Sequence, residues 1–306
     1  MKPNVLSEIV DRDLCIGCGV CAAICPDDVL AMQFNRFGEY NPVDVKGCTK
    51  ECGLCLKVCP FADGNADEDA IGGLLFGEIP RIEHRSETGY FLEGFVGHSQ
   101  IDGHRERGSS GGMATWLLQS LIENGEVDAV VCVKSNSDAE KLFEFAVFTT
   151  GEEVRRASGS AYYPVELSGV LRYIMEHPGR YAVIGLPCFV KAIRLAQMRN
   201  RNLRERIVVV LGLTCGQLKS KHYTAYLSAL AGLEEAPTRV HYRGKDLGQP
   251  ATNYHFSCTG SGGEERRVYW KGGVSEAWSN RWFTPGACNY CDDIFAECAD
   301  VTFMDA

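Results

Sequence analysis

Cys15-Ile16-Gly17-Cys18-Gly19-Val20-Cys21-Ala22-Ala23-Ile24-Cys25-Pro26 decides the fold of the first part of this chain. A second run follows it, Cys48-x3-Cys52-x2-Cys55-x3-Cys59-Pro60, and both end in Cys-Pro. This is the thiolate spacing that holds two cubane [4Fe–4S] clusters. A tight Cys-x2-Cys-x2-Cys loop wraps three thiolates around one cubane, and the fourth comes from the other run. The first expected ligand set is therefore Cys15, Cys18, Cys21 and Cys59. The second is Cys48, Cys52, Cys55 and Cys25, with one extra residue between Cys48 and Cys52 that a loop absorbs. Ile16-Gly17 and Gly53-Leu54 supply small backbone that lets amides approach the sulfides. Zinc would want two Cys-x2-Cys knuckles separated by a longer span. A disulfide framework would want an exported chain.

The 306 residues leave room for two or three domains, and an apolar content of 45% supports a core beyond the cysteine-rich head. A net charge of −9 argues against nucleic acid and against an anionic membrane surface as partners. Fifteen cysteines behind an N-terminus without an apolar signal segment, Met1-Lys2-Pro3-Asn4, point to reduced thiols and metal. No apolar stretch approaches the roughly 18 residues of a membrane span. The expected compartment is the cytoplasm, and the expected host an anaerobe, since exposed clusters are oxygen-labile.

Residues 1–65 read as an α+β, ferredoxin-like head. The acidic stretch Ala62 to Asp69 opens a segment, 66–84, that reads as a linker or a solvated helix start. Residues 85–306 alternate strands and helices, which predicts an α/β domain with a mostly parallel sheet. The spacing gives a helix from Met113 with Gly125 at its end, and strands over 127–133 and 142–148. A helix over 166–177 and a strand over 181–185 follow. The chain then turns at Leu186-Pro187-Cys188 into a helix to about Met198, and a strand runs over 207–213. Residues 238–270 look like a smaller, strand-rich excursion. Asp300-Val301-Thr302-Phe303-Met304-Asp305-Ala306 breaks off in an apolar strand without a polar tail, so truncation at the C-terminus is expected.

Ser109-Ser110-Gly111-Gly112 at a helix start offers amides and a helix dipole to an anion such as phosphate; Ser-Gly also begins many helices simply as a cap. No G-x-G-x-x-G fingerprint or P-loop occurs. Cys188 and Cys215 follow predicted strand ends, so in a parallel sheet they face one crevice. With the Cys288-x2-Cys291 pair they make four thiolates, enough for a third cluster; buried core thiols are the other reading. Cys132 reads as core, while Cys258 and Cys298 read as packing residues or a redox pair. Ala157-Ser158-Gly159-Ser160-Ala161-Tyr162-Tyr163-Pro164 could clamp the polar edge of a flavin, or be a turn between helix and strand. Trp270, Trp278 and Trp282 are too dispersed for a nucleic-acid stacking platform. His222 and His241 are assigned no metal.

Ser110-Gly111-Gly112, Gly159-Ser160-x-Tyr162, Gly185-Leu186-Pro187-Cys188, Tyr242-Arg243-Gly244-Lys245, and Cys288-x2-Cys291-Asp292 followed by Ala299-Asp300 run in one order over about two-thirds of the chain. Together they resemble the beta subunit family of coenzyme F420-reducing hydrogenase and dehydrogenase, here joined to a 2[4Fe–4S] head. The resemblance implies a flavin iron–sulfur oxidoreductase with FAD and a further [4Fe–4S] cluster beside it. It implies that Ser110, Gly111 and Gly112 meet the FAD phosphates and that Gly159, Ser160 and Tyr162 lie near the isoalloxazine. It also implies that Cys188, Cys215, Cys288 and Cys291 hold the third cluster. Coenzyme F420 is the implied hydride carrier, and a redox protein or a hydrogenase, dehydrogenase or reductase subunit the implied partner. FAD is a natural junction, because a hydride brings two electrons at once while clusters carry one each. The same parts would serve a reductase of a disulfide, sulfite or tetrapyrrole, or a non-catalytic electron-transfer subunit.

Overall fold

Each cysteine run of the head contains one turn of helix, Val20–Ala23 in the first and Leu54–Lys57 in the second. Between them lies a hairpin of β1 (Leu30–Phe34) and β2 (Tyr40–Asp44), paired so that Phe34 faces Tyr40. Asn35 closes its turn by accepting from the amides of Phe37 (2.8 Å) and Glu39 (3.1 Å). The computed structural model describes residues 3–48, 52–101, 103–136, 138–246 and 248–305.

Of the two readings of the acidic stretch, a linker or a helix start, the structure has the helix. Asp67 accepts from the amide of Ala70 at 2.8 Å and caps a helix over Glu68–Phe76. Ile71 on this helix is fully buried, and Glu68 pairs with Lys191 of the following domain at 2.8 Å. A short hairpin, β3 (Glu83–Arg85) and β4 (Gly89–Phe91), follows.

The second part is built on a five-stranded sheet. Its strands are β5 (Ala129–Ser135), β6 (Phe143–Phe148), β7 (Tyr181–Gly185) and β8 (Ile207–Leu213), with β12 (Val301–Phe303) at the far edge. The order is β12-β8-β7-β5-β6. β12, β8, β7 and β5 are parallel, whereas β6 is antiparallel to β5. The sheet is mostly parallel, as expected, with β6 as an antiparallel edge strand. A short loop joins β5 to β6 and allows only a hairpin, while helices Ser168–Glu176 and Pro187–Gln197 support crossovers elsewhere. Every residue of β7 is buried, as a strand covered on both faces requires. β9 (Arg239–Gly244), β10 (His255–Thr259) and β11 (Glu265–Tyr269) form the strand-rich excursion as a separate antiparallel sheet. The loop holding Gly159 to Tyr162 joins two helices, Gly151–Arg156 and Ser168–Glu176, rather than a helix and a strand. Asn124 and Gly125, the latter left-handed, end helix Met113–Glu123. Among the described residues, no helix is long and apolar enough to cross a membrane.

Arg194 is buried and locks β12 in place. Its Nε donates to the Cys298 carbonyl at 2.9 Å, and its Nη2 lies 2.9 Å from Asp300, off the ideal hydrogen-bonding angle. Asp300 in turn accepts from the Val210 amide of β8 at 2.7 Å.

Head and sheet domain share one apolar core. Val20, Ala22 and Ala23 pack with Leu167 and Leu171. The Leu167 amide donates to the Cys18 carbonyl at 2.8 Å, and Arg172 donates to the Ala22 carbonyl at 2.8 Å. The first cysteine loop is therefore the docking element.

Candidate metal and cofactor site

Cys15, Cys18, Cys21 and Cys59 line one small cavity whose other walls are apolar, including Val5, Ile9, Met32 and Val58. Burial pushes the Cys15 thiol up to about 12, with Cys59 adding repulsion. Burial also raises Cys18, on which Cys59 and Cys15 act, and Cys21, on which all three others act. Such a set becomes thiolate only with positive charge in its midst. An iron–sulfur core supplies that charge, so the donor set fits it.

The second expected set lies partly at the surface. Burial raises Cys55, and Cys52 and Cys48 add repulsion, so those three are neighbours. Cys48 and Cys52 are exposed, and the Cys48 amide is held by Asp44 at 2.9 Å. Cys25 is half-buried. Among the described residues, no three His, Cys, Asp or Glu side chains could hold a single metal ion. A cubane spreads its thiolates over a larger body than one ion does.

Cys188 sits in the first turn of helix Pro187–Gln197, directly beyond β7, and Cys215 lies just beyond neighbouring β8. The two ends adjoin because the strands are paired and parallel. Cys288 and Cys291 arrive on the loop that returns to β12. Burial raises Cys188 strongly, and repulsion from Cys215, Cys291, Cys18 and Cys288 follows in that order. Cys215 is pushed up to about 12 by burial, with Cys288 and Cys291 adding to it. Cys18 of the head thus faces Cys188 closely enough for their charges to interact. The Leu218 amide donates to Cys288 Sγ at 3.3 Å, and the Gln217 amide to Cys215. Arg281, Phe283 and Ala296 on the returning loop all adopt the left-handed conformation, a strain that concentrates at functional sites. Cys132 and Cys258 are buried in apolar clusters, and Cys298 is buried with Glu68, Asp293, Lys191 and Arg194 acting on it.

Lys219 had no signal in the sequence. It is 3% exposed, yet no carboxylate pairs with it among the described residues. Its Nζ donates to the Trp282 carbonyl (2.7 Å), Gln217 Oε1 (3.1 Å) and Thr284 Oγ1 (3.2 Å). It lies 5.1 Å from the ring centroids of both Tyr223 and Trp278. Burial lowers its pKa to about 8, with Arg281 lowering it further and Cys288 opposing that.

The two stretches matched to FAD meet. The Ser160 amide donates to Ser109 Oγ at 2.8 Å, which joins the Gly159 loop to the Ser-Gly-Gly turn. Gly112 has φ of +76°, and a Cβ there would lie against the His104 carbonyl and 2.9 Å from the Arg105 amide. Only glycine fits this turn. Lys245 donates to the Ser110 carbonyl at 2.9 Å, and the Ser110 hydroxyl donates to Asp305. Arg243 pairs with Asp305 at 2.5 Å and hydrogen-bonds Tyr162. Tyr162 packs edge-on against Trp278 (4.9 Å) and Tyr242 (5.5 Å). Beside this loop opens a cavity of about 310 Å³, lined among others by Arg156, Gly159, Ser160, Arg239 and His241. Arg243, Lys245 and Asp305 are thus members of the site that the sequence quoted or overlooked without assigning them a role.

A mixed α/β domain that gathers four cysteines beside a glycine-rich loop, and carries a cysteine-run head, defines an iron–sulfur type of architecture. Family comparison sharpens this. The models for the coenzyme F420 hydrogenase/dehydrogenase beta subunit match residues 95–172 (N-terminal) and 179–306 (C-terminal), and a 4Fe-4S dicluster domain matches residues 7–71. The chain belongs to the coenzyme F420 hydrogenase/dehydrogenase beta subunit family and carries a 4Fe-4S dicluster domain. It is 27% identical over 237 residues to an F(420)H(2) dehydrogenase subunit of Methanosarcina mazei, covering 74% of this chain and 60% of that protein. It is 24% identical over 193 residues to the coenzyme F420-dependent sulfite reductase of Methanocaldococcus jannaschii, covering 63% of this chain and 26% of that protein. The chain therefore spans less than two thirds of the length of both relatives. A chain of the F420-reducing [NiFe] hydrogenase complex from Methanosarcina barkeri shares the fold, with a TM-score of 0.52 and 18% identity over 71% of this chain and 72% of that one.

Proposed function

We propose that this chain is an oxidoreductase subunit that passes electrons between a hydride carrier, coenzyme F420, and one-electron carriers. The observation that carries this reading is the charge interaction of Cys188 with both its own quartet and Cys18 of the head. It supports two four-cysteine groups lying near one another at the docking seam. In this reading Cys15, Cys18, Cys21 and Cys59 hold one [4Fe–4S] cluster, and Cys48, Cys52, Cys55 and Cys25 a second. Cys188, Cys215, Cys288 and Cys291 hold a third. FAD, when bound, supplies the chemistry that takes two electrons as hydride and gives them up singly. The amides of Ser110, Gly111 and Gly112 would hold its phosphates, and Gly159, Ser160 and Tyr162 would lie near its ring. Lys245 and Arg243 hold these loops together and keep positive charge beside them. The cavity next to Gly159, with Arg156 and Arg239 on its walls, receives the anionic carrier. The exposed Cys48 and Cys52 turn the second group toward a protein partner, a hydrogenase, dehydrogenase or other redox subunit. A second reading, in which the electrons end on sulfite bound elsewhere, is favoured by the likeness to the Methanocaldococcus sulfite reductase.

The test is F420-dependent reduction of a viologen dye by the anaerobically prepared protein, with flavin content measured alongside. Arg243→Ala should weaken flavin retention about tenfold, on the order of 1.4 kcal/mol, and leave iron unchanged. Full flavin retention in Arg243→Ala would remove that residue from the site. Absence of any F420-dependent dye reduction by flavin-replete protein would overturn F420 as the carrier.

A further inference from the structure

We propose that Lys219 is a positioning residue that sets the reduction potential of the group held by Cys188, Cys215, Cys288 and Cys291, as a fixed buried positive charge. The inference rests on the reading of those four cysteines as an iron–sulfur site. Four thiolates give such a group excess negative charge, and each one-electron reduction adds one more. A nearby cation that water cannot screen favours the reduced form, so it moves the potential upward.

The placement supports this. The segment from Cys215 to Lys219 wraps the sulfurs: the Gln217 amide points at Cys215, the Leu218 amide at Cys288 Sγ (3.3 Å), and Lys219 follows. All three ammonium protons are engaged by neutral acceptors, so the side chain cannot swing away. Burying an ammonium is costly unless a negative group offsets it. The opposite charge that acts on Lys219 is Cys288; the other charge acting on it, Arg281, is positive. Arg281 itself donates to the Cys288 carbonyl at 3.2 Å, so a second cation flanks the same cysteine from the exposed side. Lys219 also lies over Trp278, which packs on Tyr162 of the candidate flavin loop. A role confined to packing would call for a neutral donor, which could reach the same three oxygens without the cost of burying a charge.

The experiment is a dithionite titration followed by electron paramagnetic resonance on the full chain prepared without air. The signal of the third group is identified first as the one lost in Cys188→Ser. Lys219→Gln keeps hydrogen-bonding capacity and removes the charge; Lys219→Arg keeps the charge. The expected result is that Lys219→Gln lowers the reduction equilibrium of that signal at least tenfold, a negative shift of about 59 mV for one electron. Lys219→Arg should hold close to the parent value, and iron content and the head signals should stay unchanged in both. An unshifted potential in iron-replete Lys219→Gln overturns the proposal, as does an equal shift in Lys219→Arg. Should Lys219→Gln fail to accumulate, Arg281→Gln at the exposed side of Cys288 is titrated instead. It should shift the same signal in the same direction by a smaller amount, and no shift there overturns the proposal. A parent protein that lacks a third signal overturns the reading of the cysteine quartet itself. That outcome is seen before any substitution is made.

Discussion

Cys188→Ser should remove about four of about twelve irons per chain and a corresponding third of the visible absorbance. The reason is position. Cys188 is the thiol on which Cys215, Cys288, Cys291 and the head's Cys18 all act, so it sits at the centre of the seam. A serine hydroxyl there keeps its proton at neutral pH and is a poor substitute for a soft thiolate toward iron–sulfur cores. The head signals should persist, because the cavity lined by Cys15, Cys18, Cys21 and Cys59 is built by the head alone. Electrons delivered at the flavin should then no longer reach the head. Iron and sulfide analysis with electron paramagnetic resonance checks this, and unchanged iron in Cys188→Ser would refute the assignment of this quartet.

Gly19→Ala should have the next largest effect, on the docking of head and sheet domain. Gly19 has φ of +77°, and a Cβ there would press on the Glu166 carboxylate and stand 3.0 Å from the Ser168 amide and 3.1 Å from that of Leu167. The left-handed conformation alone costs an L-residue about 1–2 kcal/mol. Crowding against backbone adds strain of about 1–3 kcal/mol, since a main chain cannot rotate away as a side-chain tip can. The bond from the Leu167 amide to the Cys18 carbonyl is made at the same place and would lengthen. A fall in melting temperature of about 5–10 °C follows. Limited proteolysis should cut faster between the head and β5. A melting temperature within a degree of the parent's would show that the loop is free to move and is not the docking element.

How much of this was legible in the sequence depends on how local each signal is. The cysteine runs are legible because three ligands of a cubane fall within seven residues, and β7 and β8 because buried parallel strands read as unbroken apolar runs. Cys188 and Cys215 could be paired in advance, since adjacent parallel strands bring their ends together. The helix Glu68–Phe76 was legible only as one of two readings, because its acidic opening, Asp67-Glu68-Asp69, suits a solvated linker as well as a capped helix. The direction of β6 was hidden because an apolar alternation has no polarity of its own; the short connection from β5 decides it. Lys219, Trp278 and Asp305 were invisible for a different reason. They come from a loop, a helix and the last residues of the chain, and only the tertiary fold brings them to one site.

The central claim is that cysteine sulfur in this chain grips four-iron clusters at three places. The most direct measurement is iron, acid-labile sulfide and flavin per chain in protein purified with oxygen excluded. The account predicts about twelve irons, about twelve sulfides and one flavin. Colourless protein without iron or sulfide, prepared under the same exclusion of air and fully folded, would contradict it.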